Sequence, residues 1–269
     1  MQSWRVIDTG TGSGAYNMGV DEVLGEGPVR RPVLRLYDWD PPAISYGYGQ
    51  RPEREVDPAA CQRMGVDLVR RATGGRAVLH WEDLTYSVVC DPDDPRLGGG
   101  IEEMHRAIGE CLAEGLRLFG AEVDLERVRR RSAAPRGPAP ASPCFSSTAR
   151  WELKCRGRKL VGSAQRRFRH AVLQHGSILL GRAHERLPQL MCGSAEERRV
   201  WTRQLEEGSI DLGTCLARPV ERGELAECLV RGFARRLGVE MQQSELDADE
   251  ARRAVELAVE PGALEEIGI

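Results

Sequence analysis

Between Cys144 and Ser177 the chain carries a thiol at Cys144, an amine at Lys159 inside RKLVGSAQ, and an imidazole at His175 inside QHGS. A thiolate attacks acyl groups, and a neighbouring ammonium both favours the thiolate and stabilises an oxyanion. These residue types suit acyl transfer. A second stretch, Arg70-Arg71-Ala72-Thr73-Gly74-Gly75-Arg76 running on to His80, sets two glycines between arginines and a histidine. Its backbone can approach a ligand closely, and its amides can face a carbonyl or a phosphate. Each group also has a plainer reading. A Gly-Gly between strands is an ordinary turn, His175 fits a core histidine, and Lys159 beside a basic turn fits an exposed lysine. Cys144 is one of eight cysteines. Asn17 and Asp21, four residues apart, read as a solvated helix face. Ser45 to Gln50 reads as a strand entering a glycine turn, either a bulge or a ligand wall.

The elements that must hold these residues follow from periodicity. Trp4 to Thr9 reads as a first strand, and Ser13 caps a helix through Leu24. Val33 to Tyr37 and Ala43 to Tyr48 flank the Asp40-Pro41-Pro42 turn. Asp57-Pro58 starts a helix, with proline at its first position. Val66 to Arg71, Arg76 to Leu79 and Leu84 to Val89 read as strands, and Ile101 to Phe119 as an amphipathic helix. Arg127 to Pro143, rich in Arg, Ala and Pro, reads as a long loop of the kind that is functional or disordered. Trp151 to Cys155 and Lys159 to Gln165 pair around Arg156-Gly157-Arg158, and Val172 to Leu180 follows. Beyond Gly181 the pattern is helical over 183–191, 196–206, 219–237 and 244–258. The fold class is α+β, with a mixed sheet and a helical C-terminal tail.

Length and charge narrow the function classes. At 269 residues the chain can bury a core. Its 38 Lys+Arg against 41 Asp+Glu leave a net charge of −3, which argues against a general nucleic-acid binder. Two basic clusters stand out: Arg127, Arg129, Arg130, Arg131 and Arg136, and then Arg166, Arg167 and Arg169. They read as solvated loops or as a dock for an acidic partner. The start, MQSWRVIDTG, lacks the apolar core of a signal peptide, and no run approaches a membrane span of ~20 apolar residues. The expectation is a cytoplasmic protein with no membrane partner. No cysteine pair has zinc spacing, and most of the thiols should be free in a reducing compartment.

The separated segments Asn17-Met18-Gly19-Val20-Asp21-Glu22, Ala43-Ile44-Ser45-Tyr46-Gly47 with Gln50, RRATGGRAVLH, KLVGSAQRR and LQHGSILL occur in the order of a known family. Together they resemble the lipoate–protein ligase A and octanoyltransferase family, over roughly residues 3–240. The resemblance implies a mixed-sheet acyltransferase domain of the biotin/lipoate protein ligase type, over residues 1–240. Residues 241–269 would form a helical tail packed on it. It also implies an acyl tunnel lined by Arg70, Arg71, Ala72, Thr73, Gly74, Gly75 and His80. Lys159 would contact the acyl carbonyl. Gly162, Ser163, Ala164 and Gln165, with His175, Gly176 and Ser177, would close the tunnel.

Two chemistries occur in that family. Ligases adenylate free lipoate with ATP and magnesium. Octanoyltransferases take octanoate from acyl carrier protein through a cysteine thioester and need no cofactor. Cys144 in Pro-Cys-Phe falls where the LipM type carries its nucleophile. Arg76 stands where ligases commonly have a third glycine, and Leu84-Thr85-Tyr86-Ser87 also resembles the LipM pattern. The chain departs from that pattern at Ser146 to Arg150 and at Trp151, where Tyr is more common. The expected activity is octanoyl transfer from octanoyl-acyl carrier protein, through Cys144 and Lys159, to a lysine of glycine cleavage H protein or a lipoyl domain. An ATP-dependent lipoate ligase is the alternative. An amidotransferase between carrier domains and a non-catalytic acyl-binding scaffold are further ones.

Overall fold

A computed structural model describes residues 3–127 and 151–259. Cys144 and almost all of the Arg/Pro-rich stretch before it lie outside the described residues.

The centre is an eight-stranded mixed sheet. β1 (Ser3–Gly12), β2 (Val33–Trp39) and β6 (Asp83–Cys90) lie side by side, followed by β10 (Val172–Leu179), β9 (Arg158–Arg167), β8 (Trp151–Cys155) and β7 (Val123–Arg127). β11 (Glu240–Ser244) pairs parallel to β1 at the opposite edge. A second sheet of three strands, β3 (Ala43–Gly47) between β4 (Asp67–Arg71) and β5 (Val78–His80), carries the Gly74–Gly75 loop.

The two faces of the large sheet differ because side chains alternate along each strand. One face presents Leu34, Leu36, Leu84, Tyr86, Val88, Val172 and Ile178 to α4 (Ile101–Leu118) and α7 (Arg222–Leu237). These two helices cross closely at glycines: a Cβ on Gly232 would stand 2.7 Å from the Cys111 carbonyl and from the Gly115 Cα. The other face presents Arg35 and Tyr37 on β2, Asp83, Thr85 and Ser87 on β6, and His175 and Ser177 on β10. α1 (Gly14–Glu26) lies nearby, capped by Ser13 through the Tyr16 amide as expected.

Asn17 and Asp21 on α1 are not solvated. They are 0% and 1% exposed. The helix is covered nearly all round because α8 (Ala248–Val259) packs against it at Gly19, and Phe168 packs against Gly25. After β10 come a 3-10 turn (Ala183–Leu190), α5 (Ala195–Gly208) and α6 (Leu212–Leu216). α2 (Pro52–Glu55) and α3 (Pro58–Met64) connect the small sheet, and α3 is capped by Asp57 ahead of Pro58.

Most of the described thiols are free, as expected, with one pair excepted. Cys155 on β8 and Cys215 on α6 form a disulfide. Cys61, Cys90, Cys111, Cys192 and Cys228 are free.

Candidate functional site

The sheet register builds the site's floor. Arg35 pairs with Ser87, Ser87 with His175, and His175 with Ala164. One row away, Tyr37 pairs with Thr85, Thr85 with Ser177, and Ser177 with Gly162. Because both rows lie on the same face, a lane crosses four strands, each about 4.8 Å from the next. The small sheet and its glycine loop roof this lane. Between them is a cavity of about 290 Å³.

The cavity gathers twelve of the residues expected from sequence: Arg71, Gly74, Gly75, His80, Lys159, Gly162, Ser163, Ala164, Gln165, His175, Gly176 and Ser177. Three others sit outside its lining. Arg70 is exposed, with its guanidinium 5.7 Å from the Tyr46 ring centre. Ala72 accepts a hydrogen bond from Arg166 through its carbonyl, and Thr73 is fully buried behind the wall. Met18, Tyr37, Trp39, Ser45, Val78 and Thr85 also line the cavity.

Lys159 reaches the cavity through an irregularity in its strand. Strict alternation from Gly162 would place Leu160 on the cavity face and Lys159 on the opposite one. The β8–β9 register shifts there: Leu153 pairs with Val161, but Lys154 pairs with Lys159, so β9 carries one extra residue. Such a bulge inverts the alternation and re-aims a side chain. Leu160 accordingly joins the apolar cluster on the other face, while Lys159 lines the cavity. Lys159 is 6% exposed, and Glu152 is 3.2 Å from its ammonium. The backbone of Lys159 is fixed by the Ile210 amide, which donates to its carbonyl at 2.9 Å.

The glycine loop is held from its carbonyl side. Tyr48 N–H donates to the Thr73 carbonyl at 3.1 Å. The Arg71 guanidinium donates to the carbonyls of Gly74 at 2.9 Å, Arg76 at 2.8 Å and Ser45 at 2.7 Å. In a planar trans peptide the N–H points opposite its C=O. The Gly74 and Gly75 amides therefore point away from these partners. Gly75 has φ +105°, a conformation glycine adopts without steric cost. Gly47 allows the close approach, since a Cβ there would meet the Gly75 carbonyl oxygen at 2.5 Å.

Both cavity histidines are tied to buried carboxylates. His175 Nδ1 is 2.8 Å from Asp21, and its Nε2 is 2.7 Å from the Thr73 hydroxyl. His80 Nδ1 is 3.0 Å from Asp83, its Nε2 is 2.8 Å from the Ser45 hydroxyl, and its ring stacks on Trp39. Burial pulls the His80 imidazole below its ordinary pKa, with Asp83 opposing the shift. For Asp21 burial opposes ionisation, yet the His175 hydrogen bond and the Arg35 charge outweigh it and hold the carboxyl low. Burial, reinforced by Asp21, pushes the Tyr37 phenol far up.

Asp21, Asp83 and Glu152 were not among the residues expected from sequence. The signal for Asp21 was α1 itself, which has no Lys or Arg and is studded with glycines at 14, 19 and 25. A helix of that kind is buried all round.

The described free thiols do not suit nucleophilic work. Burial pushes Cys61, Cys90 and Cys111 up to about 12, and raises Cys192 and Cys228 as well. No group of three or more metal-ligating side chains occurs among the described residues. No described helix is long and apolar enough to cross a membrane.

Residues 13–234 match the family model of the lipoyl protein ligase A/B catalytic domain. The chain belongs to that family. It is 43% identical over 268 residues to an octanoyltransferase LipM of Kyrpidia tusciae, covering 96% of this chain and 95% of that protein. It is 39% identical over 263 residues to an octanoyltransferase LipM of Moorella thermoacetica, covering 95% and 94%. Among solved structures, a bi-partite lipoate protein ligase from Thermoplasma acidophilum superposes with a TM-score of 0.78 at 23% identity, covering 96% of this chain and 92% of that one. That likeness bears out the mixed-sheet ligase-type fold. The family's catalytic-domain match accounts for most of the described residues, from the end of β1 through most of α7.

Proposed function

We propose that the chain is an octanoyltransferase of lipoate assembly, moving octanoate from a carrier-protein thioester to a lysine of a lipoyl-accepting protein. The observation that carries this reading is the cavity: Lys159 and the Gly74–Gly75 loop line it together with Met18, Tyr37 and Trp39 of one apolar cluster. The near full-length identity to octanoyltransferases LipM supports the same reading.

In this reading the octanoyl chain lies along the lane with its carbonyl toward Lys159. The Cys144 thiolate attacks the thioester carbonyl. A new carbon–sulfur bond forms as the oxyanion collects charge. The Lys159 ammonium and the Gly74 and Gly75 amides stabilise that charge. The bond to the carrier's thiol then breaks, and that thiol leaves with the proton Cys144 gave up on forming its thiolate. The acceptor's ε-amine attacks the acyl-Cys144 carbonyl next. The carbon–nitrogen bond forms, the carbon–sulfur bond breaks, and the amine's proton returns to the Cys144 sulfur. Thioester to amide runs downhill, so the transfer requires neither ATP nor magnesium. The exposed Arg166, Arg167 and Arg169 give an acidic carrier a favourable approach.

The test is a transfer assay with octanoyl-carrier protein as donor and a lipoyl domain or glycine cleavage H protein as acceptor. Octanoylation of the acceptor lysine without ATP is the expected result. Lipoate- and ATP-dependent release of pyrophosphate, with no carrier-dependent transfer, would establish the ligase chemistry instead.

A further inference from the structure

The two cavity histidines share a wiring that the transfer chemistry does not use. Asp21, His175 and the Thr73 hydroxyl form one chain of hydrogen bonds, at 2.8 and 2.7 Å. Asp83, His80 and the Ser45 hydroxyl form another, at 3.0 and 2.8 Å. Every member is at most 5% exposed. Both chains bridge the same gap. Asp21 and His175 belong to α1 and the large sheet, and Thr73 to the glycine loop. Asp83 belongs to the large sheet, and His80 and Ser45 to the small one.

The carboxylates set the direction of each chain. Asp21 is an acceptor held ionised, and it also takes hydrogen bonds from Arg35 at 2.8 Å, Ser87 at 2.8 Å and Tyr37 at 2.9 Å. An acceptor-only group next to Nδ1 requires the proton on Nδ1. With a single proton on the ring, Nε2 of His175 accepts a hydrogen bond from the Thr73 hydroxyl. Both ring nitrogens are engaged, so neither is left to exchange a proton with substrate. Asp83 imposes the same tautomer on His80, whose Nε2 accepts from Ser45.

We propose that these two Asp–His–hydroxyl chains are positioning devices that lock the small sheet onto the large one. Through Thr73, the first of them holds the Gly74 and Gly75 amides at the place where the oxyanion forms. Asp21, His175 and Thr73 are thus positioning residues, acting through the loop and not on the acyl group directly. The geometry favours this role over a nucleophilic triad, since Thr73 is 0% exposed, is not part of the cavity lining, and spends its hydroxyl on His175. Thr73 is well suited to the task. Its carbonyl is already pinned by Tyr48, so its hydroxyl fixes the remaining side of the same residue.

This inference rests on the transferase reading, and its test separates the two. The rate of acyl-enzyme formation is measured at saturating octanoyl-carrier protein for the wild type, Thr73→Val and Thr73→Ser. Thr73→Val keeps shape but lacks the hydroxyl, and its saturated rate is expected to fall about tenfold to a hundredfold. The donor's KM should change little. Thr73→Ser restores the hydroxyl and should restore most of the rate. A folded Thr73→Val enzyme acylating as fast as wild type overturns the inference while leaving the transferase reading intact. A wild-type enzyme that forms no acyl-enzyme overturns the reading itself. A second measurement needs no variant. The ring ¹⁵N shifts of His175 should report a proton on Nδ1, and an Nδ1 without a proton would also overturn the inference.

Discussion

Glu152 and Lys159 form a buried ion pair at 3.2 Å, each about 6% exposed. Two unit charges about 4 Å apart attract by about 4 kcal/mol at an effective dielectric near 20. Removing one partner of such a pair costs about 3–5 kcal/mol, because the other charge loses a close opposite charge in a buried place. Glu152→Leu should therefore lower the melting temperature by about 6–20 °C, at roughly 2–4 °C per kcal/mol for a domain of this size. Lys159→Met should cost a similar amount. The double variant, with neither charge left, should regain most of the lost stability. It should still form no acyl-enzyme, since the ammonium that steadies the oxyanion is gone. Calorimetry of the three variants beside single-turnover acylation makes the comparison. A Glu152→Leu protein as stable as wild type would refute the buried pairing. So would a double variant no more stable than either single one.

Three further outcomes follow from the same geometry. Gly47→Ala would press a methyl group against the Gly75 carbonyl at 2.5 Å and shift the glycine loop, so acylation should fall at least tenfold, read by the same single-turnover assay. Stability should also decline with acid in two stages. Burial holds His80, His105 and His184 below their ordinary pKa, so the unfolded chain binds more protons and stability falls as pH drops below about 6.5. Asp21, held low in the fold, contributes fully above about 3.9, and its contribution fades as pH falls through its lowered value. Urea midpoints from pH 8 to 3 check both stages, and stability rising from pH 7 to 5.5 would contradict the first. Finally, the exposed arginines Arg166, Arg167 and Arg169 should make kcat/KM for an acidic carrier donor fall as salt rises from 50 to about 300 mM. A salt-independent kcat/KM would argue against steering.

The legible parts of the sequence were those with strong patterns. β2, β6 and β10 showed their alternation, Ser13 and Asp57-Pro58 announced helix starts, and the glycine loop announced itself by composition. β7 and β11 were harder to see because they are short edge strands, Val-Asp-Leu-Glu-Arg and Glu-Met-Gln-Gln-Ser, with polar residues that read as loop or helix. The stretch read as helix over 244–258 resolves into the end of β11 and then α8. Asp21 was misread because an acidic residue on a helix is usually solvated. Here the burial comes from the large sheet, whose Arg35, Tyr37, Ser87 and His175 surround the carboxylate, and that set of partners is not written in the helix's own residues. Lys159 was expected at the acyl carbonyl only from the family resemblance, because its own neighbours fit an exposed lysine equally well, and it does line the cavity. A one-residue bulge decides which face it serves, and a bulge is set by the pairing strand. The Cys155–Cys215 disulfide joins positions 60 residues apart and likewise has no local signature.

The central claim is that acyl transfer passes through a thioester on Cys144, and intact-mass and peptide mass spectrometry after mixing with octanoyl-carrier protein test it most directly. The account predicts an adduct of about 126 Da, an octanoyl group replacing hydrogen, located on Cys144 and lost on adding acceptor. An adduct on no residue, or full transfer by Cys144→Ala, would contradict it.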